Sequence, residues 1–406
     1  MADAAGHPLP AILLASDKTG VGALRSLRMA GIDTYVACPP RDLVTYSRWF
    51  KPTPGPNPWD GTVGPDALRI LREMPVERAA LIPGADDAAL WLSGIPNSDL
   101  ADRFKVSTSS RESLEILQDK SRFKEFLMRE RIPHPRTFSI ARDEDVDAIP
   151  FAELDRVFIK PTNSQKFSQV VGAKGIWVKT REQFLREWRL LDAQGFRVMA
   201  QEYVPGTAAD HYFVDGFRDR TGTLTGLFAR RRLRIFPPDF GNSSYCESIA
   251  LGDVEPAVAS IAEILSKLSY RGIFSAEFKR DARNGEFRIL EVNTRAWWYV
   301  EFAARCGVNV CRMAYEDALE MPVEPSRRDY PVGIGCVNMV GDMKTALSSE
   351  MGGWGALPKA LGQWSRAYWH VFRLDDPRPG FHVFWSRVKQ AISKRVRGKA
   401  RKRPVA

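Results

Sequence analysis

Two carboxylates, an amide oxygen and a guanidinium fall in one short stretch of this chain, as Glu277, Glu291, Asn293 and Arg295. Oxygen ligands of this kind suit Mg²⁺, which is commonly held by one or two carboxylates together with substrate phosphates. The rigid fork of an arginine suits phosphate or carboxylate oxygens on which negative charge develops. These groups act together only if the backbone brings them together. Residues 273–279 and 286–292 alternate apolar and polar side chains around Asp281-Ala-Arg-Asn-Gly285, a turn-forming cluster, so the segment predicts a β-hairpin. Alternation places Glu291 and Asn293 on one face with Arg295 just beyond, and hairpin pairing brings Glu277 across from Glu291. The alternative is an ordinary surface hairpin whose charged residues face water.

Other residues invite the same chemistry. Residues 157–161 read as a strand presenting Lys160, followed by the loop 162–174 and a returning strand over 175–179. Such a flap would pin Lys160 beneath it as a point charge on a phosphate. The segment 162–172 has one glycine, so Ser164, Gln165, Lys166 and Ser168 are the expected donors in place of a glycine-rich backbone cradle. In residues 228–236, alternation puts Arg230, Arg232 and Arg234 on one strand face, where like charges repel unless an anion lies there. A solvated edge strand is the alternative. Lys120, beside Asp119, lies within 110–131, which the periodicity predicts as one helix ended by Ile132-Pro-His-Pro135. Taken alone it is a solvated helix lysine, and His211 taken alone is a structural or surface histidine.

Around these residues the chain must build a frame. A short apolar strand over 11–15, a helix over 23–30 and a strand over 34–38 form a βαβ opening, which predicts a parallel sheet. Its loop glycines do not fit a dinucleotide fingerprint. Asp86 and Asp87 follow the strand 79–82, where open α/β sheets bind ligands, and they either touch substrate or cap the next helix. Residues 256–268 and 296–305 read as helices. Trp297, Trp298 and Tyr299 are expected in the core or a pocket wall, and Glu301 as a substrate-side acid or a buried partner for an arginine.

A length of 406 residues allows two or three domains. No apolar run reaches the roughly 20 residues of a membrane span, and the N-terminus lacks a signal pattern, so a cytoplasmic protein is expected. Five scattered cysteines without a C-x-x-C pair read as reduced thiols. The net charge of +10 is a tail property: nine Lys or Arg lie in 386–406, leaving 50 basic against 49 acidic residues elsewhere. Phe381, Phe384, Val388 and Ile392 recur on one helical face among basic residues. Docking at the anionic inner membrane face is one expectation and a disordered basic tail the other. No nucleic-acid-binding fold is recognisable, so specific nucleic-acid binding is not expected.

The frame E-F-x-x-D…E-x-N-x-R, carried by Glu277, Glu291, Asn293 and Arg295, resembles the metal-binding end of ATP-grasp ligases. The wording of the chain is most similar to the group of D-aspartate ligase and predicted carboxylate–amine ligases, over about residues 110–315. Residues 231–241 resemble that group's R-K-L-R-x-Y-P-x-x-F-G segment. The resemblance implies an α/β (α+β) fold: a Rossmann-like domain over 1–110, a two-lobed ATP-grasp domain over 111–325 (flap lobe about 135–205, catalytic lobe about 206–325), an aromatic-rich region over 326–385 and a basic tail over 386–406. It implies ATP as cosubstrate and Mg²⁺, with Mn²⁺ as a substitute, held by Glu277, Glu291 and Asn293. Lys120 and Lys160 would face phosphates. Gln201, with the backbone at Glu202 and Val204, would form an adenine hinge, and Asp210 or His211 would reach the ribose or γ-phosphate. Arg295, Arg232 and Arg234 would stabilise an acyl-phosphate formed from a small-molecule or lipid-linked carboxylate before an amine displaces phosphate. The rival readings are a different acceptor, such as a thiol, or a nucleotide-binding regulatory or membrane-associated protein that has lost turnover. Homo-oligomerisation is left open.

Overall fold

Ala11–Leu14 (β1), Thr34–Ala37 (β2), Ala79–Pro83 (β3) and Phe104–Val106 (β4) are short and largely buried on both faces. Strands of that kind pair in parallel beneath covering helices. They form the expected parallel sheet, in the order β2-β1-β3-β4. This computed structural model describes residues 9–154, 156–161, 175–237, 241–348 and 353–400.

A second sheet, ordered β5-β8-β6-β7, joins Thr137–Ile140 (β5), Val157–Pro161 (β6), Ile176–Val178 (β7) and Val198–Glu202 (β8) in antiparallel pairs. One of its faces buries Val157, Ile159, Val178, Val198 and Ala200 with the helix Arg181–Asp192. Alternation therefore turns Phe158, Lys160, Trp177, Met199 and Gln201 to the opposite face. The loop carrying Ser164, Gln165, Lys166 and Ser168 lies outside the described residues.

The third sheet has seven strands, ordered β13-β12-β9-β10-β11-β14-β15. They are His211–Arg218 (β9), Leu224–Phe236 (β10), Asn242–Ile249 (β11), Gly272–Arg280 (β12), Phe287–Asn293 (β13), Gly335–Val337 (β14) and Tyr368–Trp369 (β15). Val214, Ala276, Phe278, Ile289 and Val292 pack one face against the helix Glu255–Lys267 and the pair Arg111–Gln118 and Lys120–Arg129. The intervening residues, among them Asp215, Ser275, Glu277, Glu291 and Asn293, occupy the other face. The sheet continues past residue 325, because β14 pairs with β11 and β15 with β14.

Three local expectations are corrected. The predicted helix over 110–131 is two helices, broken at Asp119, whose backbone is extended (φ −84°, ψ 117°) and whose carboxylate accepts from the Ser121 and Arg122 N–H groups. A side chain that caps a new helix competes with continuing the old one. The helix expected over 296–305 spans only Val300–Arg305, with Trp297 and Tyr299 buried in the turn before it. The solvated edge-strand alternative for 228–236 also fails, since β9 flanks β10 as far as Arg231, β11 flanks the rest, and Arg230, Arg232 and Arg234 are buried. No helix among the described residues is long and apolar enough to cross a membrane, and all five cysteines are free and buried.

Candidate active site

The β12–β13 register sets the centre of the site. Glu277 and Glu291 are direct partners, as are Ser275 and Asn293, so both carboxylates and the amide share one face. Their environments differ. Glu291 is exposed and Asn293 half-buried. Glu277 accepts from the Arg232 Nη2 at 3.1 Å and from the His211 Nδ1 at 2.9 Å. Burial opposes its ionisation, but the Arg232 charge and the His211 hydrogen bond outweigh that and hold it well below the usual carboxylate range. Burial lowers the His211 pKa in turn, so the neutral ring directs its Nδ1 proton at Glu277. Among the described residues no three His, Cys, Asp or Glu side chains form a ready metal cluster. The hard-oxygen set of Glu277, Glu291 and Asn293 nevertheless fits Mg²⁺, which needs few protein ligands when phosphates complete its shell.

A cleft of about 840 Å³ runs between the edge strand β13, the helix pair at 111–129 and the second sheet, and Glu277, His211, Arg232 and Arg295 lie outside its lining. Glu291 and Asn293 line one side of it, Lys160, Met199 and Gln201 the other, and Asp86, Asp87 and Lys120 one end. The break at Asp119 is what places Lys120 there, in the first turn of its helix. Gln118 anchors the same junction by donating to the Asp86 carbonyl at 3.0 Å and the Thr294 hydroxyl at 2.8 Å. Lys160 donates to the Gln201 side-chain oxygen at 3.2 Å, and the Gln201 amide nitrogen donates to Thr137 at 3.0 Å.

The rest of the expected hinge is more structural. Glu202 is buried, its N–H donates to the Arg136 carbonyl, and its carboxylate accepts from Arg283 at 2.6 Å and Arg288 at 3.2 Å. Its side chain thus ties the strand end to the β12–β13 turn, and neither it nor the buried Val204 lines the cleft. Asp210 accepts from the Thr207 N–H and hydroxyl, capping its own turn, while His211 serves Glu277.

The arginine face carries its own anions. Arg230 Nε donates to buried Asp215 at 2.7 Å, and Asp215 also accepts from Ser275 at 2.6 Å. Arg232 contacts Glu277 and the Ser243 hydroxyl. Arg234 grips Asp342 through Nε and Nη2, at 2.8 and 2.6 Å, and donates to Gln363. The repulsion expected from sequence is thus relieved by carboxylates of the protein itself. Arg295 donates to the Asn293 side-chain oxygen at 3.2 Å and lies against Asp86, with Nε to Oδ1 at 3.2 Å. Glu301 proves to be a buried arginine partner, bridging Arg25 and Arg373.

Sequence reasoning missed Asp215, Asp342 and Lys279. Alternation on β9 and β12 points to the first and third, while Asp342 reaches the site from the helix Met339–Ala346, with no local signal. Lys279 is 4% exposed, with its ammonium 3.9 Å from the centre of the Tyr203 ring. Burial, helped by Arg156 and Arg232 and resisted chiefly by Asp210, lowers its pKa to about 8.

Two α/β lobes around a cleft, behind a parallel N-terminal sheet, are an arrangement this chain shares with solved structures of nucleotide-bound enzymes. No family model matches the chain. The chain is 24% identical over 262 residues to a D-aspartate ligase of Enterococcus faecium (strain Aus0004), an alignment spanning 62% of this chain and 62% of that relative. It thus spans less than two thirds of the length of the curated relative it matches. The biotin carboxylase domain of Hydrogenobacter thermophilus 2-oxoglutarate carboxylase, in complex with MgADP, ADP and bicarbonate, matches with a TM-score of 0.59 and 15% identity, over 81% of this chain and 74% of that one. A carboxyaminoimidazole ribonucleotide synthase of Aspergillus clavatus, complexed with ATP, matches with a TM-score of 0.58 and 10% identity, over 80% of each chain.

Proposed function

We propose that this protein is an ATP-dependent carboxylate–amine ligase. The observation that carries the reading is the direct pairing of Glu277 with Glu291, which with Asn293 lines one wall of a cleft whose other walls present Lys160 and Lys120. The relationship to a D-aspartate ligase and the fold shared with structures holding ATP and MgADP support it.

In this reading Lys120 and Lys160 neutralise the polyphosphate, Gln201 meets the base, and Glu277, Glu291 and Asn293 hold Mg²⁺. Bound there, the ion would shield the charge of the β- and γ-phosphates. A carboxylate oxygen attacks the γ-phosphorus, ADP leaves, and an acyl-phosphate forms. Arg295 and Arg232 stabilise its charge. The amine nitrogen then bonds to the acyl carbon, phosphate departs and the nitrogen loses a proton. Positioning and electrostatics supply most of the rate in such transfers. Arg234, locked on Asp342, supports the face on which this occurs.

The helix Arg378–Ala400 leaves Phe381, Phe384 and Trp385 about half exposed in a strongly basic segment. Aromatic and cationic side chains together suit an anionic lipid surface, which would bring the enzyme to a lipid-linked acceptor.

The thermal midpoint with and without Mg²⁺-ATP tests the nucleotide site. A ligand at ~100 times its dissociation constant adds about 2.7 kcal/mol. A metal-dependent rise in wild type that disappears in Lys160→Ala/Glu291→Gln supports the site, and ADP release with paired carboxylates and amines then tests the ligase. No rise at millimolar nucleotide would refute the reading.

A further inference from the structure

We propose that Lys279 is a nucleotide-binding residue whose ammonium donates to the ribose hydroxyl oxygens; this rests on the nucleotide site proposed above. Lys279 follows Glu277 by two positions on β12, so both project from the site face, and its direct partner on β9 is His211. The spacing puts its backbone about 7 Å from that of Glu277. The direction is toward the hinge, because the β12–β13 turn is bound there: the Ala282 N–H donates to the Pro205 carbonyl at 3.1 Å. In the proposed site the metal-ligand set marks the phosphate end, and Lys279, just behind the residues that line the cleft, stands about 7 Å from Glu277 toward the hinge.

A lysine at 4% exposure calls for a compensating partner. Among the described residues the ammonium has the Tyr203 ring for a close neighbour, and Asp210 and Asp281 act on it only through space. The two residues expected at the ribose are otherwise engaged, Asp210 by Thr207 and His211 by Glu277. Facing Lys279 across the hinge, the half-buried rings of Phe158, Trp177 and Tyr203 pack edge to face, with centroids 5.5 and 5.3 Å apart. Arg156 also lies over the Tyr203 and Trp177 rings, at 4.4 and 5.1 Å, so the rings and the two cations form one cluster at the hinge, beside which the sugar would lie. An apolar side chain at this position would fill the same volume without engaging a hydroxyl.

Dissociation constants of ATP, 2′-deoxy-ATP and 3′-deoxy-ATP, measured with Mg²⁺ on wild type, Lys279→Met and Lys279→Gln, test this. Wild type should bind ATP about tenfold more tightly than at least one deoxy form, the range for a hydrogen bond to a charged group. Both variants should lose that preference by weakening ATP while leaving the deoxy form nearly unchanged. Equal affinity of wild type for all three nucleotides overturns the inference and leaves the nucleotide site standing. So does uniform weakening of all three in the variants, which would make Lys279 structural or phosphate-directed. Failure of wild type to bind any of them overturns the nucleotide site itself. Because the wild-type comparison stands alone, a variant that does not fold leaves the inference decidable.

Discussion

Arg295 rests against Asp86, with Nε 3.2 Å from one carboxylate oxygen and Nη2 3.3 Å from the other. Asp86 begins the helix after β3 in the parallel sheet, whereas Arg295 leaves the end of β13. The contact joins two units at the cleft and aims the guanidinium between Asp86 and Asn293.

Asp86→Asn should therefore impair turnover far more than folding. The Asp86 side chain is nearly half exposed, so its loss should cost less than about 1 kcal/mol of stability. Release of Arg295 should lower kcat about tenfold, in line with a partial loss of one charge-stabilising donor. Steady-state ADP release and urea unfolding on the same samples separate the effects, and unchanged kcat would remove Arg295 orientation from the mechanism.

The two paired glutamates should respond differently to the same change. Glu291→Gln, at an exposed position, should alter stability by no more than about 0.5 kcal/mol while abolishing the Mg²⁺-dependent nucleotide shift. Glu277→Gln removes the ion partner of buried Arg232, so it should cost about 3 kcal/mol in addition to activity. Denaturant midpoints without nucleotide read this contrast, and equal midpoints would contradict it.

Asp281 offers a test by pH. Burial opposes its ionisation, but bonds from Arg283 and the nearby Arg288 charge prevail and hold its pKa below the usual value. A carboxyl depressed in the folded state adds stability above its unfolded pKa, about 3.9, and that stability is lost as pH falls through the folded value. Asp281→Asn should thus cost on the order of 1–2 kcal/mol at pH 7 and progressively less below pH 4. A penalty that stays constant down to pH 2 would show that the ion pairs contribute little.

Membrane docking is tested best by point changes. His382 stacks on Tyr46 and Val383 packs against the core, so cutting the chain at 380 would disturb the fold as well. Replacing Phe381, Phe384 and Trp385 by Ser should abolish co-flotation with anionic liposomes at physiological salt and leave the thermal midpoint within a few degrees. Equal flotation of both proteins would rule out the aromatic anchor.

Most of this centre was readable because its determinants are local. Period-two alternation and a turn cluster suffice to place Glu277 opposite Glu291, and the βαβ opening announces a parallel sheet. The arginine face was misread because its anions, Asp215 and Asp342, come from other elements, one of them 108 residues from Arg234. Periodicity also concealed the break at Asp119, since apolar spacing continues across it and only the capping geometry separates the two helices. The aromatic-rich segment after residue 330 gave no sign that two of its stretches extend the seven-stranded sheet, because strands this short carry little pattern of their own.

Arg25, fully buried in the first helix, is held by Glu301, by both a carboxylate and a carbonyl oxygen of Asp376, and by the Val371 carbonyl. On the ribosome the chain grows from its N-terminus, so this guanidinium is made hundreds of residues before its partners. The N-terminal sheet can form early, but its first helix cannot close its interior electrostatics until synthesis is nearly complete. Until residues 371–376 have been made, Arg25 keeps its water shell, and the packing of the first helix onto the C-terminal segment waits for the end of synthesis.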